Sequence, residues 1–208
     1  MQMRERVGRS LLEKDVNPDP LEQFKLWLDE ALAANLPQPL GMTLATASSG
    51  GKPSARMVLL RGFDKRGFVF FTNFTSRKAN ELDTNPQAAL VFYWAELDRQ
   101  VRVEGRVERI EAKESDEYFQ TRPHGSRLGA IASPQSQVIP DRAFLDGRMA
   151  EVVKMYPNDN VPRPHFWGGY RVAPSAIEFW QGQTNRLHDR LRYRRQDDGR
   201  WLIERLAP

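Results

Sequence analysis

The sequence predicts a β-dominated α+β fold, a closed or split barrel with helices at its periphery. Three observations carry that reading. Short apolar or alternating runs follow one another closely, separated by turns rich in Gly, Asp and Pro. Apolar residues at helical three- and four-residue steps are confined to the flanks of those runs. The length of 208 residues suits one large domain, since domains cluster at about 100–150 residues.

Residues 1–18 are polar and charged and read as a flexible arm. Asp19 is an N-cap with Pro20 at the first helical position, and Leu21, Phe24, Leu28 and Leu32, with Trp27 and Ala31 beside them, mark one helix face running to about Ala34. Asn35-Leu36-Pro37-Gln38-Pro39 stops it. The period then shortens. Strands are predicted over 42–47, 55–63, 68–72, 88–94 and 99–110, the last with Val101, Val103, Gly105 and Val107 on one face. Ser76 is an N-cap for a short helix over 77–84, ended by Asn85-Pro86. Helical patterns return over 112–119, 126–132 and 141–156, the last with Phe144, Leu145, Met149, Val152 and Val153 as its apolar side. Prolines punctuate 157–164. The remainder is again β, over 169–172, 176–182, 188–195 and 201–206, with Asp197-Asp198-Gly199 as a hairpin turn.

Composition narrows the chemistry. The chain has no cysteine, so disulfides, thiolate metal sites and cysteine nucleophiles are excluded. The longest apolar runs fall well short of the roughly 20 residues that cross a membrane. The charged start Met1-Gln2-Met3-Arg4-Glu5-Arg6 has no apolar segment behind it, and the expected location is cytoplasmic. Net charge is +4, from 31 Lys+Arg and 27 Asp+Glu, too small an excess by itself to separate nucleic-acid binding from binding of a small anion. Phosphate-loop, dinucleotide-fold and nucleophile-elbow motifs are absent, and His124, His165 and His188 lack metal-ligand spacing, so no metal is expected.

The cations are unevenly placed. Arg56 and Arg61 bracket Met57-Val58-Leu59-Leu60, and five residues apart they face opposite ways unless the strand bends. Arg77 and Lys78 open a helix, where free N–H groups also favour an anion. Arg122, His124, Ser126 and Arg127 surround a proline turn, and Arg186, His188 and Arg190 alternate along a predicted strand. Each cluster alone is either a solvated basic face or part of an anion site. Trp180 with the amides up to Asn185, and Gln135-Ser136-Gln137 on a proline-marked loop, suit either a planar heteroaromatic ligand or a core tryptophan with nearby loops.

Taken in order, Asp19-Pro20, Arg56-Met57-Val58-Leu59-Leu60, Phe71-Thr72-Asn73, Ser76-Arg77-Lys78, Arg99-Gln100-Val101, Tyr118-Phe119 and Arg122-Pro123 resemble the pyridoxine/pyridoxamine 5′-phosphate oxidase family. So do Gln135-Ser136, Phe166-Trp167-Gly168-Gly169, 177–182, Arg186-Leu187-His188-Asp189-Arg190 and the terminal Arg205-Leu206-Ala207-Pro208. The resemblance implies an FMN-binding split-barrel homodimer with FMN at the subunit interface, residues 19–165 forming the FMN-binding part and 166–208 a dimerisation and active-site segment of the same domain. It implies a pyridoxal 5′-phosphate synthase that oxidises pyridoxine 5′-phosphate and pyridoxamine 5′-phosphate with O2, releasing H2O2 and, from the amine, NH3. Binding to nucleic acid or membrane is not expected.

Carried over by position, Arg56, Arg77 and Lys78 resemble ligands of the FMN phosphate. Met57, Val58, Leu59, Leu60, Arg61, Phe71, Thr72, Gln100, Gln135, Ser136, Trp180 and Arg190 resemble further FMN contacts, some made across the interface. Tyr118, Arg122 and Ser126 resemble holders of the substrate phosphate, and Arg61 resembles a position that serves both flavin and substrate phosphate. Arg186, Leu187 and His188 resemble the group at the substrate ring, with Arg186 and His188 as the catalytic pair. Two departures stand out. Arg61 occupies a position that is usually lysine, and Met3-Arg4-Glu5-Arg6-Val7 has no tyrosine where the family carries substrate-covering residues. The alternatives are a related oxidase of another reduced ring, of the phenazine-biosynthesis type, and a non-catalytic basic module that binds flavin or nucleic acid.

Overall fold

A computed structural model describes residues 10–208. Helix α1 (Pro20–Ala33) starts at Asp19, whose carboxylate accepts the Leu21 N–H at 2.8 Å. Its buried stripe is Leu21, Phe24, Trp27, Leu28 and Ala31, while Leu32, expected on that face, is exposed. Phe24 is fully buried, with its ring centroid 5.0, 4.9 and 4.9 Å from those of Phe63, Phe68 and Phe92. The helix thereby anchors the aromatic core of the sheet.

Among the described residues nine strands form one antiparallel sheet: β1 (Gly41–Ala47), β2 (Pro53–Leu59), β3 (Gly62–Asp64), β4 (Gly67–Asn73), β5 (Gln87–Trp94), β6 (Arg99–Arg109), β7 (Trp167–Gln181), β8 (Asp189–Arg195) and β9 (Trp201–Arg205). The order is β2-β1-β5-β6-β7-β4-β3, and β8 also pairs with β7 and carries β9. Strand β7 thus has three partners. One edge runs along β6, while the other pairs with β4 at Trp167–Val172 and with β8 at Ala176–Gln181. The sheet divides there, which makes the barrel split.

Several expectations change at this level. The separate strands expected over 169–172 and 176–182 are one 15-residue strand. It stays continuous through a register slip between Glu104 and Gly105, opposite Pro174, which has no N–H to give the ladder. Gly105 is required at the slip, because a Cβ there would lie 2.0 Å from the Ala173 carbonyl oxygen. The strand expected over 55–63 breaks at Leu60–Arg61, where the Leu60 N–H turns to the Leu40 carbonyl and the Arg61 N–H to that of Val69. The chain leaves β1 and joins β4 at that point. Strand β8 begins only at Asp189, since Thr184–Arg186 form a single 3₁₀ turn with Asn185 and Arg186 at positive φ, so Arg186, His188 and Arg190 do not alternate along one strand.

Helix α2 (Arg77–Thr84) follows β4, and α3 (Ala112–Thr121), α4 (His124–Ala132) and α5 (Arg142–Met155) separate β6 from β7. They enclose a second core of Phe119, Leu128, Ala132, Val152, Val161 and Trp167. Of the apolar side expected on α5, only Val152 is buried, whereas Phe144 and Val153 are exposed, because the helix packs on α4 and not on the sheet. Residues 1–9 of the expected arm, with the tyrosine-less stretch at 3–7, lie outside the described residues. Residues 10–18 are tied down: Leu11 is buried, its N–H donates to Asp189 Oδ2 at 3.1 Å, and Tyr193 donates to the Asn17 carbonyl at 2.7 Å.

Truncating Phe24→Ala removes the ring shared by the helix and four aromatic neighbours. Urea unfolding is expected to show a loss of about 3–5 kcal/mol.

Candidate active site

Helix α2 starts against the usual electrostatics. Its first two residues are cations, its first turn has no acidic residue, and the N-cap Ser76 makes no side-chain capping bond. Two positive charges at the positive end of a helix dipole cost stability. The Ser76 hydroxyl instead lies 3.3 Å from Lys78 Nζ, which also donates to Thr72 Oγ1 at 3.1 Å and Gln135 Oε1 at 3.0 Å. Lys78 is buried and, among the described residues, has no carboxylate partner. Burial, and next the nearby Arg56, bring its pKa down to about 8.

Arg56 and Arg77 meet on one carboxylate that the sequence reading overlooked. Glu81, buried on α2, accepts from Arg56 Nη2 at 3.2 Å, Arg77 Nε at 2.8 Å, Ser54 Oγ at 2.6 Å and the Thr46 hydroxyl. Burial alone would raise its pKa, but the bonds from Ser54, Thr46, Arg77 and Arg56 outweigh it and hold the group at about 2. The spacing of four residues from Arg77 was the available signal.

The break at Leu60–Arg61 brings both bracketing arginines to one cleft of about 290 Å³. Arg56, Met57, Val58, Leu59, Arg61, Phe71, Thr72, Lys78, Tyr118, Arg122, Gln135 and Trp167 line it. Its apolar wall is a stack: Phe71 lies 3.9 Å from Tyr118 and 5.3 Å from Trp167, ring centre to ring centre. Arg122 sits 4.7 Å over Trp167, and Arg61 5.8 Å over Tyr118. The Arg122 Nη1 is buried with no hydrogen-bond partner, and its guanidinium pKa is lowered chiefly by burial, with Arg61 and Arg127 adding to that. Trp167 is a lining residue that the position-by-position reading did not include.

Other expected residues lie elsewhere. Leu60 is buried in the sheet core, and Ser126 is exposed on the first turn of α4. Ser136, at φ 70°, lines an adjacent depression with Arg77 and Glu81. Gln100, Trp180, Arg186, Leu187, His188 and Arg190 form a second group that does not line the cleft. Gln100, Trp180 and Arg190 are register partners across β6, β7 and β8. The His188 ring packs 4.6 Å from Trp180, and its Nδ1 accepts the Gln183 N–H at 3.1 Å. Arg190 donates to buried Glu178 at 2.8 Å and to the Ala207 carbonyl at 2.9 Å. Arg186 and Leu187 are exposed. Trp167 in the cleft and Trp180 in this group stand thirteen positions apart on β7, roughly 40 Å of extended strand.

Residues 28–156 match the family described as pyridoxamine 5′-phosphate oxidase, and residues 167–208 match the pyridoxine 5′-phosphate oxidase C-terminal dimerisation region. A pyridoxine/pyridoxamine 5′-phosphate oxidase from Nostoc punctiforme is 60% identical over 201 residues, spanning 97% of this chain and 93% of that one. Another, from Thermosynechococcus vestitus, is 61% identical over 198 residues, 95% of this chain and 93% of that one. Among solved structures, PhzG from Burkholderia lata in complex with tetrahydrophenazine-1-carboxylic acid superposes with a TM-score of 0.91 at 33% identity, covering 98% of this chain and all of that one. An FMN-binding, pyridoxamine 5′-phosphate oxidase-related protein from Nostoc punctiforme shares the fold at a TM-score of 0.72 and 19% identity.

A buried ammonium without a counter-charge stabilises a ligand complex at the expense of the empty protein. Replacing Lys78→Met is expected to raise the melting temperature of the ligand-free protein by about 2 °C, on the order of 1 kcal/mol for a domain of this size. Calorimetry with and without an added phosphate monoester checks this, and the variant should lose the stabilisation that the ligand gives the parent.

Proposed function

The chain belongs to the pyridoxamine 5′-phosphate oxidase family, and from that membership we propose that it is an FMN-dependent oxidase converting pyridoxine 5′-phosphate and pyridoxamine 5′-phosphate to pyridoxal 5′-phosphate. The observation that carries the reading is two cations in one cleft, Lys78 and Arg122, both desolvated and neither paired with a carboxylate among the described residues. Cofactor and substrate each bear a phosphate monoester of close to two negative charges, which such cations suit.

The residues present fit FMN. Lys78, Arg56 and Arg77 would hold its phosphate, with the N-terminus of α2 adding free N–H groups. Met57, Val58, Leu59, Leu60, Arg61, Phe71, Thr72, Gln135 and Ser136 would contact the rest, Leu60 and Ser136 through the backbone or from the rim. Arg61, Tyr118 and Arg122, with Ser126 at the rim, would bind the substrate phosphate. The protein is a homodimer, and the second group would complete the site of the opposite subunit, with FMN at the interface. The separation of the two groups along β7 supports that arrangement.

When bound, FMN supplies the electron acceptor for oxidation at the substrate C4′, and O2 regenerates it with release of H2O2. The protein's residues bind and orient. Gln100, Trp180 and Arg190 would pack against the cofactor, and Arg186 and His188 would hold the substrate ring at reacting distance. Because His188 Nδ1 accepts a backbone N–H, the neutral ring carries its proton on Nε2 and presents a donor there. Among the described residues no helix is long and apolar enough to cross a membrane, and a cytoplasmic location is part of the same proposal.

The likeness to PhzG favours a second reading, oxidation of a non-phosphorylated reduced ring. Arg122, with an unpartnered buried Nη1 beside Arg61, argues for a phosphorylated substrate. Purified protein should show a flavin spectrum and, under air, form pyridoxal 5′-phosphate and peroxide from either substrate. FMN bound without turnover would favour the second reading. Arg61 is a planar fork where a lysine is usual, so Arg61→Lys is expected to change the KM for the phosphorylated substrate severalfold while FMN stays bound. Unchanged KM and kcat would remove Arg61 from the substrate site.

A further inference from the structure

Among the described residues, Glu81 is the one carboxylate paired with the cations at this end of the cleft, and nothing in the proposed reaction uses it. Its side chain is 8% exposed, yet all four of its partners are donors, two hydroxyls and two guanidiniums. The two guanidiniums differ in what they need from it. Arg56 is held through both terminal nitrogens, with Nη1 on the Leu44 carbonyl and the Thr46 hydroxyl and Nη2 on Ser54 and Glu81. Arg77 is more than half exposed, and among the described residues Glu81 is its sole ion-pair partner, taken through Nε and not through the terminal nitrogens of the fork.

We propose that Glu81 is a positioning residue for phosphate recognition, fixing the Arg77 fork against Arg56 and setting the charge of the cradle to match a phosphate monoester dianion. The inference rests on the reading of this cleft as the FMN phosphate site. Three cations, Arg56, Arg77 and Lys78, and one carboxylate leave the cradle at a net charge of two positive units, equal and opposite to a fully ionised monoester. Without the carboxylate, Arg56 and Arg77 lose a shared counter-charge next to a buried ammonium. The cradle would then stand one positive unit above the monoester dianion, and the Arg77 fork would lose the bond that fixes it. A glutamine cannot substitute, because its amide N–H2 would confront donor-only guanidiniums.

The test separates the phosphate from the rest of the flavin. Affinities of the apoprotein for FMN and for riboflavin, which lacks the phosphate, are measured by quenching of flavin fluorescence for the parent, Glu81→Gln and Glu81→Asp. The parent should prefer FMN by at least about a hundredfold. Glu81→Gln should weaken FMN by about tenfold or more while riboflavin affinity stays within about twofold. Glu81→Asp keeps the buried charge, folds more readily, and should lose about threefold through its shorter reach. A parent with no preference for FMN over riboflavin would overturn the phosphate reading itself. A parent with that preference and both variants retaining it would overturn the role of Glu81 alone, as would an equal loss of both flavins, the mark of a merely structural carboxylate.

Discussion

Strand β7 has to satisfy three neighbours at once, and the placement of the functional groups follows from how it does so. Its first half closes against β4 and its second half against β8, with β6 along the whole of its other edge. A strand of 15 residues cannot bring its own ends together, so Trp167 and Trp180 fall in different places. One end meets the aromatic stack of Phe71 and Tyr118, the other the His188 ring. A single chain therefore holds two separate groups, which the proposed arrangement joins across the dimer.

The cleft departs from ordinary folding preferences in one consistent direction. Cations open α2, Lys78 is buried on neutral oxygens, and Arg122 keeps a buried nitrogen without a partner. Each costs the empty protein stability, and each is relieved by an anion. Local rules broken together at one place mark function better than any one of them alone. Elsewhere the buried arginines are neutralised: Arg171 reaches Asp64 and Glu114, and Arg127, although its Nε has no partner, reaches Asp159.

Much of this was legible in the sequence, for stated reasons. Period-two runs and turn residues located the strands, and Asp19-Pro20 fixed the start of α1 because a cap acts locally. The family resemblance rested on motifs spread in order from Asp19-Pro20 to the terminal Arg205-Leu206-Ala207-Pro208. What the sequence could not give were the effects of distant pairing. Whether 169–182 is one strand or two depends on β6 supplying a slip at Gly105, and whether 55–63 bends depends on the Leu40 and Val69 carbonyls. The expected alternation of Arg186, His188 and Arg190 failed because two positive-φ residues turn the chain before β8 begins. Glu81 went unread because a glutamate four residues after an arginine is commonplace on helix surfaces, and only burial sets this one apart.

In the proposed dimer, two half-sites from different subunits would make one active site. Co-expression of a Lys78→Met chain with an Arg186→Ala chain, followed by purification of the mixed dimer, tests it most directly. Each variant homodimer should be nearly inactive, having lost the same half-site twice. The purified mixed dimer should recover about half of the parent activity, since it carries one intact site of two. Mixed dimers with no activity above that of the separate variants would contradict the account.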